Sequence, residues 1–303
     1  MQQRDWRQIE DWIEKQQIGR WQGSAPMAEF TSWRIGGPAR LMVWPETEEK
    51  CAALLQHCSE RGAALRFLGS GTNLLVADEG VEAVVVHTGA LRRMEWSDKE
   101  VLAGAGLPLA QLSRAAADQG LKGLEFAIGI PGSLGGALVM NAGAYDGQMS
   151  DLVLEVRVMD KTGQTRVLTE QELGYGYRES RLKHTDLLIL SGRLRLKAGN
   201  QEESLALMKE YLEARRQKQP LELPNGGSVF RNPSGGGAGR YIEQAGLKGL
   251  QIGKAQISPK HANFIVNLGG AKAAEVRALM DRAQREVAEK FGVILESEVI
   301  CWR

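Results

Sequence analysis

The longest uncharged stretch of the chain, Phe126 to Tyr145, is the feature that most constrains the fold. Its length matches a membrane span of about 20 residues, but repeated glycines, Pro131 and Asn141 interrupt any continuous apolar helix. Glycine permits tight turns and close approach of the backbone to a neighbouring group. The stretch therefore predicts a buried, tightly turning loop system. Such loops provide a bed for a flat ligand or form a packing seam between backbones, and both interpretations stay open.

Charge and cysteine content limit the classes of partner. The 303 residues carry 38 Lys plus Arg and 37 Asp plus Glu, a net charge of +1, which argues against a nucleic-acid or anionic-membrane surface. A small-molecule partner is favoured instead. Cys51, Cys58 and Cys301 form no CxxC pair, so we expect neither a disulfide nor a metal site. A polar N-terminus without a signal-peptide pattern predicts a cytoplasmic protein, and the lack of a long heptad pattern favours a monomer.

Helical and strand patterns mix without a regular βαβ order. Apolar residues recur at helical spacing from Val276 to Val287, and Gly292 is placed to end that helix. Weaker patterns predict an opening helix around Trp6 and helices at 46–61, 109–119 and 204–217. Runs rich in β-branched residues predict strands at 41–43, 65–68, 84–87, 153–159, 187–190 and 264–268. The mixture favours an α+β architecture with mixed sheets, with the main domain boundary at the polar segment 197–204.

A second glycine-rich segment, GSGTNL, follows the predicted strand at 65–68. Leu74 occupies the position of the third glycine of a dinucleotide fingerprint, and strand-like residues follow it, so a Rossmann fold is not predicted. No Lys-Ser or Lys-Thr pair follows a glycine loop, which excludes a P-loop. The segment suits an anion cradle in which backbone N–H groups hold a phosphate, and a plain hairpin turn is the alternative.

Polar side chains in three other segments suit chemistry. Ser228 follows two glycines in NGGSVFRNP, and Arg178 follows Tyr177 in YGYRESRLK. The tail 293–302 alternates, which predicts a strand with Glu296 and Glu298 on one face and Cys301 on the other. Considered singly, each has an ordinary structural interpretation. Ser228 suits a turn, Arg178 a solvated surface, and the two glutamates the solvated side of a strand.

Eight segments, in their order and spacing, resemble the UDP-N-acetylenolpyruvoylglucosamine reductase family, also called UDP-N-acetylmuramate dehydrogenases. They are TSWRIGGPA (31–39), GSGTNLLV, GIPGSLGGALVMNAGAY, YRES, GSVFRNP, EQAGLKG, HANFIVN and LESEV. The resemblance covers residues 28–300 and points to the shorter form of the family. It implies an FAD-binding region of the vanillyl-alcohol-oxidase type in residues 1–198, with lobes at 1–86 and 87–198. A smaller α+β substrate domain in residues 199–303 is implied to follow.

The resemblance also implies a reaction and roles for individual residues. Hydride would pass from NADPH through FAD to the enolpyruvyl group of UDP-N-acetylglucosamine enolpyruvate, giving UDP-N-acetylmuramate for peptidoglycan precursor synthesis. Arg178 is implied as the cation that stabilises an enolate-like dianion, Ser228 as the proton donor and Glu298 as the group that orients or polarises the substrate carboxylate. Cofactor binding is implied for Gly69, Ser70, Gly71, Thr72, Asn73, Leu74, Ile130, Pro131, Gly132, Ser133, Gly136, Asn141, Ala142 and Gly143. Substrate contacts are implied for Tyr177, Arg231, Asn232 and His261.

Three residues depart from the family pattern as we expect it: Arg231 in place of Lys, Ile128 in place of a small residue and Asp146 in place of Gly.

Two other functions also stay open. An oxidase of small alcohols or sugars would share the flavin fold, although the His or Cys that often tethers flavin is absent from 69–76 and 126–145. A non-catalytic nucleotide-sugar binding protein would have little need for Ser228, Arg178 and Glu298 together.

Overall fold

A computed structural model of the chain describes residues 3–303, which divide into two units built from non-contiguous segments. Unit 1 comprises the residues up to 24, then 40–70 and 82–212, and unit 2 comprises 25–39, 71–81 and 213–303. Residues 1 and 2, where the predicted first lobe begins, lie outside the described residues. The predicted functional boundary at residue 198 stays a prediction, because the two units are defined by contacts and not by ligands.

Eight helices and 18 strands are found in the described residues. The helices are α1 Gln3–Lys15, α2 Glu48–Glu60, α3 Leu109–Asp118, α4 Leu134–Met140, α5 Glu170–Leu173, α6 Gln201–Lys218, α7 Ala238–Gln244 and α8 Ala273–Phe291. The strands as far as residue 104 are β1 Gly19–Pro26, β2 Pro38–Pro45, β3 Leu65–Leu68, β4 Leu74–Val76, β5 Val81–His87, β6 Met94–Ser97 and β7 Glu100–Gly104. The later strands are β8 Leu121–Lys122, β9 Gly143–Ala144, β10 Gly147–Gln148, β11 Val153–Met159, β12 Thr165–Thr169, β13 Leu188–Arg195, β14 Lys197–Ala198, β15 Gln251–Ile252, β16 Ala255–Ile257, β17 Ile265–Asn267 and β18 Ile300–Trp302.

Unit 1 contains two larger sheets. A four-stranded sheet has the order β1-β2-β5-β3, in which β3 runs parallel to β5. Apolar residues at helical spacing on α1 and α2, including Ile9, Ile13, Leu54 and Cys58, pack with Val84 of β5 in one buried cluster. A five-stranded sheet has the order β12-β11-β13-β7-β6 and is antiparallel throughout. Its core includes the apolar faces of α3 and α4, so the glycine-rich stretch is built into this sheet's packing.

Unit 2 is organised around the longest helix, α8. Buried residues of α8, among them Val276, Leu279 and Val287, pack with Trp33 and Ile265. The three-stranded antiparallel sheet β15-β16-β17 contributes to this cluster, and β18 pairs in parallel with β4. The unit therefore joins the C-terminal part of the chain to two short earlier segments, one of which carries most of the GSGTNL loop.

Candidate active site

The two glycine-rich segments of the sequence meet in unit 1. Gly69 directly follows β3, and Ser133 is the N-cap of α4, where its Oγ accepts a hydrogen bond from Gly136 N at 3.5 Å. A Cβ atom added to Gly69 would overlap Ser133 Oγ. The absence of a side chain at Gly69 therefore allows the GSGTNL segment and the glycine-rich stretch at 126–145 to lie in contact.

Gly136 offers space for a flat group beside the backbone of α4. It is exposed, and among the described residues outside the backbone of α4 itself, Ser133 Oγ at 3.7 Å is the one heavy atom within 4 Å of the position of its missing Cβ. Ser70, in the neighbouring segment, is also exposed, whereas Ser133 is buried. A planar ring can approach such a backbone without a steric conflict, so these residues fit a bound flavin.

The rest of the GSGTNL loop belongs to unit 2. Gly71 has φ +63° and lies so close to the carbonyl of Phe30 that any side chain would collide with it. Asn73 donates from Nδ2 to the carbonyl oxygen of Glu298 at 2.9 Å. Leu74, predicted as a cofactor residue, is buried in β4 and pairs in register with Ile300. Only the backbone of Leu74 is therefore suited to touch a ligand.

Asn141 connects the flavin segment to the YGYRES loop. It is 1% exposed and has φ +44° at the C-terminal end of α4. Its Nδ2 donates to the carbonyl of Gly176 at 2.9 Å, and its Oδ1 accepts from the backbone N–H of Ser150 at 2.9 Å. The side chain predicted to bind cofactor is thus engaged with protein backbone, and it holds the loop that carries Arg178.

Arg178 is held against the glycine-rich stretch. Its Nη2 donates to the carbonyl oxygen of Gly143, and its guanidinium carbon lies 5.0 Å from the centroid of the half-exposed Tyr177 ring. Its φ of +54° is a left-handed conformation that costs a non-glycine residue about 1–2 kcal/mol. Strain of this kind is concentrated at functional sites, where the surrounding structure maintains it.

Sequence reasoning missed Tyr211, which supports the same part of the stretch. Strands β9 and β10 form a hairpin whose two turn residues, Tyr145 and Asp146, both have positive φ. This is the pattern of a type I′ turn, which glycine favours, and it explains why glycine is expected at position 146. The Tyr145 ring stacks on Tyr211 of α6 with centroids 3.9 Å apart, and its hydroxyl donates to the Tyr211 carbonyl. No sequence pattern indicated this long-range pair.

Ser228 and Glu298 lie on two paired segments of unit 2. The N–H of Glu298 donates to the carbonyl of Val229 at 2.8 Å, and Phe230 forms a bridge with Ser297. Both Ser228 and Glu298 are half-buried. The structure therefore brings these two predicted catalytic residues together through the backbone.

The predicted strand over 293–302 is wrong in its extent and in one face. Only Ile300–Trp302 is a strand, and Cys301 is exposed although Leu295 and Val299 are buried. The alternation fails because the chain reaches its strand partner β4 only at Ile300.

Three of the four predicted substrate residues, Arg231, Asn232 and His261, belong to unit 2 with α7, whereas Tyr177 belongs to unit 1. Arg231 Nη1 is 3.8 Å from a carboxylate oxygen of Glu296. Asn232 is exposed, and its Oδ1 accepts from the N–H of Ala238 at 3.0 Å. His261 Nδ1 accepts from the N–H of Asn263 at 3.2 Å, and burial lowers the pKa of this imidazole below its ordinary value. Burial therefore favours the neutral form of His261.

Two further features of the described residues concern other classes of site. No group of three or more His, Cys, Asp or Glu side chains in residues 3–303 is arranged to hold a metal ion. None of the helices in this part of the chain has the length and apolar character needed to cross a bilayer.

Comparison with known families first defines the class of protein. Residues 39–169 match the model of an FAD binding domain, so the chain is a flavin-binding protein. Residues 219–302 match the model of the C-terminal domain of UDP-N-acetylenolpyruvoylglucosamine reductase. A reductase of that name from Heliobacterium modesticaldum is 46% identical over 283 residues, which cover 93% of this chain and 90% of the relative. The chain belongs to the UDP-N-acetylenolpyruvoylglucosamine reductase family.

Further relatives support the family and the fold. UDP-N-acetylenolpyruvoylglucosamine reductase 2 from Symbiobacterium thermophilum is 44% identical, with 94% of this chain and 92% of the relative covered. The crystal structure of UDP-N-acetylenolpyruvylglucosamine reductase from Thermus caldophilus aligns with a TM-score of 0.80 at 39% identity, covering 94% of this chain and 98% of that one. Berberine bridge enzyme from Eschscholzia californica, at 11% identity, 73% coverage of this chain, 51% of that one and a TM-score of 0.50, is similar in fold alone. The predicted family and the α+β fold class with its FAD-binding region are confirmed.

Proposed function

We propose that the chain reduces the enolpyruvyl group of UDP-N-acetylglucosamine enolpyruvate to UDP-N-acetylmuramate, with NADPH as hydride donor and FAD as cofactor, in peptidoglycan precursor synthesis. Membership of the reductase family carries the proposal. The pairing of the Ser228 and Glu298 segments, with Glu298 N–H bonded to Val229 O, supports it, since two of the three implied catalytic residues lie on adjoining stretches of backbone.

The residues that would hold FAD come from both glycine-rich segments. Gly69, Ser70 and Gly71, with Thr72 and Asn73, would provide backbone donors to the pyrophosphate. Ile130, Pro131, Gly132, Ser133 and Gly136, with Ala142 and Gly143, would form the bed for the ring system. FAD, when bound, supplies a two-electron carrier between NADPH and the enolpyruvyl methylene carbon.

The three implied catalytic residues would stabilise charge, donate a proton and orient the substrate. Addition of hydride to the methylene carbon leaves negative charge on the adjacent carbon and on the carboxylate, and Arg178 would stabilise that charge. Ser228 would donate a proton from its Oγ to the adjacent carbon. A serine hydroxyl is a weak acid, so it serves only when it lies within hydrogen-bond reach and near positive charge. Glu298 would orient the substrate carboxylate.

Tyr177, Arg231, Asn232 and His261 would contact the nucleotide-sugar substrate. Arg231 offers a guanidinium fork to a phosphate, a geometry that a lysine at this position would not reproduce. Asn232 already uses its Oδ1 to cap α7, so its Nδ2 is the atom suited to a ligand. Burial favours the neutral form of His261, which would act as a hydrogen-bonding partner.

The proposal extends to organisation and location. Residues 1–198 would act as the FAD-binding region and 199–303 as the substrate domain. The protein would work as a monomer in the cytoplasm.

A steady-state assay with product analysis tests this function. NADPH oxidation should depend on UDP-N-acetylglucosamine enolpyruvate, and the product should have the mass of the substrate plus two hydrogen atoms. An oxidase of the same fold would consume oxygen and form hydrogen peroxide with an alcohol or sugar, and would leave the enolpyruvyl group intact. NADPH oxidation that does not respond to the enolpyruvyl sugar would contradict the proposal.

A further inference from the structure

We propose that Ser32 and Trp33, in the TSWRIGG segment, are positioning residues that hold the Ser228 turn in register with the GSGTNL loop. This inference rests on the proposed function, since it assigns the segment a part in proton delivery by Ser228. All the groups involved belong to unit 2.

The Ser32 hydroxyl joins the two loops. Its Oγ donates to the carbonyl of Asn225 at 2.7 Å and lies 3.3 Å from the carbonyl of Thr72. One hydroxyl has one proton, and the shorter distance assigns that proton chiefly to Asn225. The N–H of Ser32 donates to the carbonyl of Gly71 at 3.2 Å. A single residue thus contacts the proposed phosphate loop through its backbone and the turn before Ser228 through its side chain.

Trp33 forms the surface on which that turn rests. It is fully buried, and its Nε1 donates to the carbonyl of Ile265 at 2.8 Å. A Cβ atom on Gly226 would lie 2.6 Å from Cζ3 of the Trp33 ring, so only glycine allows the turn to approach this closely. Asn267 donates from Nδ2 to the Trp33 carbonyl at 2.9 Å, and its own N–H donates to Pro224. The ring and the chain before the turn are therefore fixed.

Hydrogen bonds on both sides of Ser228 fix its position in the turn. The Asn225 Oδ1 accepts from the N–H of Gly227 at 2.9 Å, and Gly227 has φ +79°. Val229, on the other side of Ser228, is held by its bond to Glu298. The Asn225 carbonyl bonded to Ser32 is three residues before Ser228, so loss of this bond removes the anchor nearest the turn on that side and leaves Pro224, bonded to Asn267, and the Asn225–Val266 bridge as the remaining ones. Misplacement by about 1 Å reduces a catalysed step by about 100-fold in well-oriented systems.

The test compares Ser32→Ala with Ser32→Thr, which keeps the hydroxyl, and with Ser113→Ala as a matched control. Ser113 is a fully buried serine of α3 that donates to the Leu124 carbonyl at 2.7 Å, so its removal deletes an equivalent hydrogen bond in unit 1. Three quantities are measured: FAD affinity of the deflavinated protein, rates of the two half-reactions under anaerobic conditions, and hydrogen exchange of the 225–229 amides.

In Ser32→Ala we expect FAD affinity and flavin reduction by NADPH within about threefold of the native protein, because Gly71 is held by the Ser32 backbone. Reoxidation by the enolpyruvyl sugar should slow by about tenfold or more. Exchange of the 225–229 amides should accelerate. Ser32→Thr should restore both, and Ser113→Ala should lower the unfolding temperature without separating the half-reactions. In a Ser228→Ala background, Ser32→Ala should add no further loss.

Native rates and native exchange in Ser32→Ala, or equal slowing of both half-reactions, would overturn the inference. Loss of FAD affinity with an unchanged reoxidation rate would also overturn it, because Ser32 would then act through Thr72. Failure of the native protein to be reoxidised by the enolpyruvyl sugar would refute the proposed function instead. In that case the exchange comparison alone decides whether Ser32 holds the turn.

Discussion

Replacement of Gly69 by alanine tests whether the two glycine-rich segments form one rigid cradle. Gly69 is not among the residues with positive φ, so alanine brings no backbone strain. Its new methyl group would overlap Ser133 Oγ, whereas its distance to Ser133 Cβ would be an ordinary 3.6 Å and to Gly136 N 4.0 Å. The conflict is therefore confined to one oxygen atom.

The expected cost follows from that geometry. Overpacking of a buried contact costs about 1–3 kcal/mol. Removal of the Ser133 oxygen alone loses the 3.5 Å cap bond to Gly136. Because this bond is long, we expect its loss to cost about 0.5 kcal/mol, the lower end of the range for N-cap removal. In the double variant Gly69→Ala/Ser133→Ala the conflict is absent. We therefore expect the double variant to be as stable as Ser133→Ala, which corresponds to a coupling equal to the whole overpacking cost, about 1–3 kcal/mol.

The free energy of unfolding of the apoprotein in urea measures this coupling, and FAD affinity provides a second measurement. Gly69→Ala should weaken FAD binding, and each 1.4 kcal/mol of lost binding free energy raises the Kd about tenfold. Adding Ser133→Ala should restore most of the FAD affinity. Gly23→Ala is the control, because a Cβ there would meet Glu10 and Trp21 at 3.7 and 3.9 Å. Additive losses in the double variant, or a Gly69→Ala protein as stable as Gly23→Ala, would refute the reasoning.

Three further predictions concern other parts of the chain. Ser228→Ala should retain flavin reduction by NADPH and lose reoxidation by the enolpyruvyl sugar in stopped-flow measurements; equal loss of both would contradict its role as proton donor. Asp146→Gly should raise the free energy of unfolding by about 0.5–1 kcal/mol, because Asp146 has φ +63°, and an unchanged value would argue against a strained turn. Burial, followed by the Arg61 guanidinium, lowers the pKa of His57 to about 4. As the pH falls, the imidazole is therefore protonated in the unfolded chain before it is protonated in the folded protein. The free energy of unfolding should decrease as the pH falls from about 6.5 to 4, and this decrease should be smaller in His57→Phe.

Local sequence patterns predicted the helices and strands whose buried residues recur at regular spacing. The stripe from Val276 to Val287 is buried along α8, and Gly292 ends the helix with φ +67°. Helix α6 ends at Lys218, close to the predicted end and before Pro220. Cys51 and Cys58 are buried in α2, which matches the helix predicted at 46–61. In each case the information lies within a few turns of one helix, where periodicity is a sufficient guide.

Long-range contacts were beyond that reasoning. The allocation of 25–39 and 71–81 to unit 2 depends on bonds such as Trp33 Nε1 to Ile265, which join residues more than 200 positions apart. Alternation in the tail likewise predicted a strand that forms only where β4 provides a partner. Of the site, family motifs predicted Ser228, Arg178 and Glu298, but nothing local indicated that Asn141 would anchor the Arg178 loop or that Ser32 would bridge two loops.

The most direct test of the account is an anaerobic visible spectrum recorded through two additions. The purified protein should show oxidised flavin bands that bleach when NADPH is added. Addition of UDP-N-acetylglucosamine enolpyruvate should then restore the bands without oxygen. Bands that bleach and return only when oxygen is admitted would contradict the proposed reduction of the enolpyruvyl sugar and the roles given to Ser228, Arg178 and Glu298.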